Sequence, residues 1–138
     1  MAVTDFNEQV IEEFRANGGK VGGPLAGQQV LLVTMTGART GQVRTVPLGY
    51  FDDDGTPVVF ASSMGAPAHP QWYFNLKANP DVAVEIGTSQ MPARARVVEG
   101  DERAALWERV VEAKPFLAAH QAAAHPREIP LIRLEEVE

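Results

Sequence analysis

Residues 43–51 alternate in polarity, with Val46, Leu48 and Tyr50 on one face, and lead through Asp52-Asp53-Asp54-Gly55 into Val58-Val59-Phe60. A two-residue period sends successive side chains to opposite faces of an extended strand, and an Asp-Gly pair tolerates the positive φ angles of a tight hairpin. This stretch commits the chain to antiparallel pairing. Pro47 has no N–H to give a ladder, so its strand is expected to be interrupted or at an edge there.

Further strand-like runs follow the same logic. Val30-Leu31-Leu32-Val33 is a short apolar run of strand length, while Val82, Val84 and Ile86 share one face. Met91, Ala93, Ala95 and Val97 alternate with Arg94 and Arg96, and a last strand is expected over Ile129 to Leu134. Helical spacing appears between them. Asp5 with Glu8 resembles a capping box ahead of Phe6, Val10, Ile11 and Phe14, and the helix should end at Asn17-Gly18-Gly19. Lys20 to Gly27, rich in Gly and Pro, reads as a loop, either a plain connector or a lid over a ligand. Pro70 to Asn79 predicts a short helix, and Asp101 is expected to cap another that carries Leu106, Trp107, Val110 and Val111 to Lys114-Pro115, followed by an Ala-rich turn. Six short, mostly antiparallel strands with helices in the connections predict an α+β or closed-barrel architecture rather than an alternating βαβ fold. With 138 residues and no repeat or low-complexity linker, one domain is expected over 1–138.

Composition removes several functions. The net charge of −6, from 12 Lys+Arg against 18 Asp+Glu, does not suit a protein that grips phosphate backbones, so no nucleic-acid partner is expected. Cysteine is absent, which excludes disulfides and thiolate chemistry and is compatible with a reducing cytoplasm, the expected location. Met1 to Asp5 carries no basic n-region, and no run reaches the roughly 18 apolar residues of a membrane span. A soluble protein is expected. His69, His120 and His125 form no metal-ligand pattern, since the last two are five apart on a segment broken by Pro126. No metal site is expected, and Asp52 to Asp54 reads as a solvated turn rather than a cation site. Nor is there a G-x-S-x-G nucleophile elbow.

Two segments carry chemistry. In Thr34-Met35-Thr36-Gly37-Ala38-Arg39-Thr40-Gly41-Gln42-Val43-Arg44 a strand leads into a Gly-bounded, hydroxyl-rich turn flanked by two arginines. It matches neither a Walker loop nor a dinucleotide fingerprint. Backbone N–H groups beside two guanidinium forks suit a phosphate or carboxylate, and an ordinary hairpin with exposed arginines fits the pattern equally. The second segment, Ala61-Ser62-Ser63-Met64-Gly65 through His69-Pro70-Gln71-Trp72-Tyr73-Phe74-Asn75-Leu76, leaves a strand on small residues that let a flat ring approach the backbone. Its three consecutive aromatics cannot all face one way on a helix, so at least one is expected in the core.

Four ordered pieces of the chain resemble the F420-dependent deazaflavin nitroreductase and quinone reductase family: Gly18 to Pro24, the Thr-Gly-basic turn with Arg44, Pro47 and Leu48, the block Pro70 to Pro80, and Arg127-Glu128-Ile129-Pro130. The likeness runs from about Asn7 to Leu134. It implies a split β-barrel like that of the flavin-mononucleotide pyridoxamine oxidases, with coenzyme F420 in a groove at its side. Carried over position by position, Ala38, Arg39 and Thr40, then Arg44, Thr45, Val46, Pro47, Leu48 and Gly49, form the wall that meets the phosphate tail and ring edge. Ala61, Ser62, Ser63 and Met64 line the ring, and Gln71, Trp72, Tyr73, Phe74 and Asn75 close the pocket. Ser62 is the candidate catalytic residue as a hydroxyl donor near the substrate, or else a small residue needed for close packing.

The chain departs from the family pattern in two places. Ala38 stands where a basic residue is usual, and Ser63, Met64 and Ala68 replace what is commonly Lys, Gly and Arg, which implies a less cationic site. Lys114, Leu117 and His120 stand on the substrate side in place of tyrosines found in nitroimidazole-reducing members. The resemblance therefore implies hydride transfer from reduced F420 to a quinone or another conjugated acceptor, with nitroimidazole activation disfavoured and a quinone-like or nitroaromatic small molecule as the expected partner. A non-catalytic F420-binding protein and a split barrel that takes flavin mononucleotide are the alternatives. A monomer or homodimer is expected. Peripheral membrane contact through Phe6, Val10, Ile11 and Phe14 is opposed by Glu8, Glu12 and Glu13, which would repel an anionic surface.

Overall fold

The computed structural model describes residues 3–22 and 29–137, so much of the expected loop from Lys20 to Gly27 lies outside the described residues. Six strands, β1 (Val30–Thr36), β2 (Val43–Asp53), β3 (Thr56–Phe60), β4 (Asp81–Ile86), β5 (Ser89–Val97) and β6 (Leu131–Glu136), close into a barrel in the order β1-β2-β3-β6-β5-β4. Every neighbouring pair is antiparallel. Four helices decorate it: α1 (Val3–Ala16), α2 (Gln71–Ala78), α3 (Gly100–Ala113) and α4 (Phe116–Ala124).

The predicted hairpin is present. Asp54 and Gly55 both take positive φ, 53° and 92°, which is the requirement of a tight β2–β3 turn. Pro47 pairs with Leu32 of β1, whereas β2 joins β3 only from Tyr50 onward, so the missing N–H falls on a stretch with one partner strand. Period-two burial builds the barrel interior from Leu31, Val33, Met35, Leu48, Val59, Val84, Ile132 and Leu134. Val58 and Leu131, one residue out of phase, face the other way and join Leu106, Val110 and Leu117 in a second core beneath α3 and α4. Strand β3 is thus apolar on both faces, which explains its unbroken Val58-Val59 run.

Some sequence expectations need correction. Helix α1 already begins at Val3, so Asp5 lies inside it rather than at its cap. Helix α3 starts at Gly100 with Glu99 at the N-cap, and Asp101 sits in the first turn, where its charge still complements the helix dipole. The Ala-rich stretch is helix α4, not a turn. Asp53 is the last residue of β2 rather than part of a solvated turn, because two arginines from α3 and β6 hold its carboxylate. Beyond α1, Gly19 at φ 95° passes so close to the β4–β5 turn that a Cβ there would lie 2.5 Å from Gly87 Cα. No larger residue fits that crossing.

Candidate functional site

The turn after β1 is held in place before any ligand arrives. Gly37 N–H donates to Gln42 O at 2.8 Å, Gly41 N–H to Gly37 O at 3.1 Å, and Gln42 N–H to Thr40 Oγ1 at 3.2 Å. Ala38 N–H donates across to Asn75 Oδ1 of α2 at 2.9 Å. The N–H groups of Arg39 and Thr40 find no protein acceptor among the described residues. Arg39 and Arg44 are exposed and line a cavity of about 180 Å³ together with Gly37, Ala38, Thr40, Gln71 and Asn75. No carboxylate lines it. Open N–H groups and two guanidinium forks in a cavity that no carboxylate lines have the chemistry that suits an anion.

Arg44 also borders a second hollow of about 240 Å³, formed with Thr45, Val46 and the Asn7, Glu8 and Ile11 side of α1. Thr45 is fixed there by a 2.9 Å hydroxyl bond to Thr34. Of the rest of the expected β2 wall, Leu48 is a core residue, Pro47 pairs with Leu32 of β1 and Gly49 lies against Phe60, and none of the three lines the arginine cavity. In α2, Tyr73 is core, Trp72 is half-buried against the core and Phe74 is exposed, a division that follows from successive 100° steps around a helix.

The small-residue segment divides too. Ala61 and Ser62 are buried, whereas Ser63 and Met64 are exposed in a 3-10 turn (Ser63–Gly65), both at positive φ. The residue that shapes this ledge is Arg127. Its Nε donates to Ala66 O at 2.9 Å, Nη1 to Ala61 O at 2.9 Å and Nη2 to Ser62 O at 2.7 Å. Its Nη1 also lies 3.0 Å from His69 Nδ1. Burial first, and then the charges of Arg127 and Lys77, lower the His69 pKa, so the imidazole stays neutral and its Nδ1 accepts from the guanidinium. Sequence reasoning quoted Arg127 within a motif and missed this role, because its partners lie about sixty residues away.

Of the residues expected on the substrate side, His120 has its Nδ1 2.6 Å from Ser62 Oγ, which brings two predicted residues together across 58 positions of chain. Leu117 is fully buried in the second core and lines no surface. Lys114 caps α3, half-buried, and its burial lowers the amine's pKa. Among the described residues no cluster of His, Asp or Glu could hold a metal, and no helix is long and apolar enough to cross a membrane.

A family model described as F420H(2)-dependent quinone reductase matches residues 7–136. A Mycobacterium tuberculosis protein named F420H(2)-dependent quinone reductase is 35% identical over 124 residues, covering 88% of this chain and 83% of the relative. A second protein from that organism, provisionally given the same name, is 39% identical over 104 residues, 75% of this chain and 87% of its own. Among solved structures, one described as an F420-H2 dependent reductase aligns with a TM-score of 0.69 at 43% identity, covering 77% of this chain and 93% of that one. Another, described as a domain-swapped dimer, aligns with a TM-score of 0.73 at 38% identity over 97% of this chain and all of that one. A Listeria innocua structure described as a pyridoxamine 5'-phosphate oxidase shares the barrel alone, at a TM-score of 0.54 and 13% identity over 80% of this chain and 85% of that one. With its arginine-lined turn, its split barrel and a match over nearly its whole length, the chain belongs to the F420H(2)-dependent quinone reductase family.

Proposed function

We propose that this protein reduces a quinone-type acceptor with hydride from F420H2, holding the coenzyme by its anionic tail at the turn after β1. The observation that carries this reading is the cavity that Arg39 and Arg44 share with Asn75. F420 bears a phosphodiester and glutamate carboxylates. Two exposed guanidiniums and the open N–H groups of Arg39 and Thr40 answer that chemistry, so the residues present fit the group. When bound, the deazaflavin supplies a two-electron hydride donor. The protein supplies orientation and exclusion of water rather than a covalent nucleophile.

The ring-side surface is the ledge Ala61 to Met64, which Arg127 stiffens through three carbonyls. Exposed Met64 and Phe116 give an acceptor apolar ground to lie on, which favours a quinone ring over a strongly polar substrate. A monomer or homodimer at work in the cytoplasm completes the reading. Nitroaromatic acceptors remain secondary, because Lys114 and His120 offer no stacking ring of tyrosine type.

Fluorescence titration with F420 tests the proposal directly. Arg39→Ala and Arg44→Ala are each expected to weaken binding by about tenfold or more, the loss of one charge-assisted contact. Unchanged affinity in both variants would place the tail elsewhere. Tighter binding of flavin mononucleotide than of F420 would overturn the coenzyme assignment.

A further inference from the structure

The product of hydride addition to a quinone carries negative charge on oxygen and needs one proton, and that requirement gives a purpose to the contact between Ser62 and His120. We propose, resting on the reductase reading above, that Ser62 and His120 form a proton-delivery pair for the acceptor, with Ser62 touching the substrate oxygen and His120 resupplying Ser62.

The geometry is built for it. Ser62 is 6% exposed, and its Oγ and His120 Nδ1 are 2.6 Å apart. Three features hold that spacing. Arg127 grips Ser62 O at 2.7 Å. Gly65, at φ 80°, lies so near α4 that an added Cβ would sit 2.8 Å from His120 O and 2.9 Å from Ala123 Cβ. Phe116 packs edge-on against the His120 ring, centroids 5.3 Å apart, and in turn against Phe60 at 6.1 Å. Met64, 86% exposed, and Phe116, 46% exposed, then provide an apolar platform on the segments that carry the pair.

The other imidazoles are not equivalent. His69 is committed to Arg127, and exposed His125 makes no side-chain hydrogen bond among the described residues. A serine hydroxyl alone is a very weak acid. Joined to an imidazole it can release its proton while regaining one, and general acid catalysis of this kind contributes about 10²- to 10⁴-fold.

The acceptor has gained a hydrogen and an electron pair, the established chemistry of the family, and one oxygen is negative. The Ser62 O–H bond breaks and an O–H bond forms on the acceptor. His120 passes its Nδ1 proton to the Ser62 oxygen as Nε2 of the half-buried ring takes a proton from water, the hydroxide leaves to bulk solvent, and proton exchange with solvent returns the imidazole to its Nδ1–H form before the next turnover. Arg127, bonded to the Ser62 and Ala61 carbonyls, places positive charge beside this transfer and favours its anionic start.

Three variants test the pair: Ser62→Ala, His120→Gln and His120→Asn. In the coenzyme-free protein, nitrogen NMR of labelled histidine should show the His120 Nδ1 resonance moving when Ser62 becomes alanine; an unmoved resonance means no such bond in solution and overturns the proposal. F420 affinity should stay within about threefold of wild type in both His120 variants. With a water-soluble quinone, kcat should fall by about 10²-fold while KM changes little, and the solvent deuterium isotope effect of the wild type should be lost. His120→Asn is decisive, because its Nδ2 can occupy the place of Nδ1 and keep the bond to Ser62 but cannot relay a proton. Recovery of kcat and of the isotope effect in that variant would reduce His120 to a packing role and overturn the relay. Failure of the wild type to bind F420 would instead overturn the reductase reading itself.

Discussion

Asn75 Oδ1 accepts the backbone N–H of Ala38 at 2.9 Å, so a buried side chain of α2 sets the position of the arginine turn after β1. The same oxygen lies 3.4 Å from Gln71 Nε2, one helical turn earlier. The turn proposed to hold the coenzyme tail is therefore positioned by a residue that carries no charge.

Asn75→Ala is expected to leave the Ala38 N–H unpaired and loosen the turn. Losing one such hydrogen bond costs about 0.5–1.5 kcal/mol net. F420 affinity should fall roughly tenfold with both arginines intact, read by fluorescence titration. Wild-type affinity in this variant would show that the turn orders itself.

Arg127→Met keeps much of the side-chain volume and removes every donor. Three carbonyls and His69 lose their partner, so the loss of stability should be on the order of 3 kcal/mol, read as a drop in thermal midpoint of roughly 10 °C. Quinone turnover should fall along with it. A variant with wild-type melting would mean that water replaces the guanidinium at no cost.

Leu117 separates packing from substrate contact. As a fully buried member of the second core, Leu117→Ala should cost about 2–5 kcal/mol in urea denaturation. Leu117→Met conserves volume and should cost less than about 1.5 kcal/mol with an unchanged quinone KM. A shifted KM in the stable Met variant would return Leu117 to the substrate side.

Acid stability should report the network that fastens α3 to the barrel. Asp53 accepts from Arg109 and Arg133, whose hydrogen bonds hold its pKa below the carboxylate range. Glu102 accepts from Arg96 and Arg133, and Arg96 above all holds it down to about 2. A carboxyl whose pKa is depressed on folding contributes above its unfolded pKa, roughly 4.3 for Glu, and loses that contribution as pH falls through the folded value. The thermal midpoint of the wild type should therefore drop between about pH 4.5 and pH 2, and Glu102→Gln should drop less steeply. Added salt should shrink the difference, since the Glu102 carboxylate and its partner Arg96 are open to solvent. Parallel slopes for the two proteins would remove the network from acid unfolding.

The barrel was legible in the sequence because a two-residue period is local information: Val46, Leu48 and Tyr50 announce their face, and Asp54-Gly55 announces the turn. Helix α4 was not, since Phe116 to Ala124 offers alanines with little polar contrast and follows a proline. At the site, Arg39, Arg44 and Ser62 could be picked out by residue type and by family likeness. Arg127 and Asp53 could not be assigned their parts, because what each touches is decided by closure of the barrel, which brings Ala61 and Ser62 to the former and Arg109 and Arg133 to the latter. Leu117 shows the opposite failure. A position inferred from likeness alone turned out to serve the core, and no local pattern distinguishes it from His120 three residues on.

Strand β6 comes after the other five in sequence, yet it lies between β3 and β5. A nascent chain must hold two open sheet edges until that strand leaves the ribosome, an interval in which stray pairing with other chains is the main hazard. Arg127, four residues ahead of β6, emerges in the same interval, so the ledge from Ala61 to Met64 is completed together with the barrel and not before it.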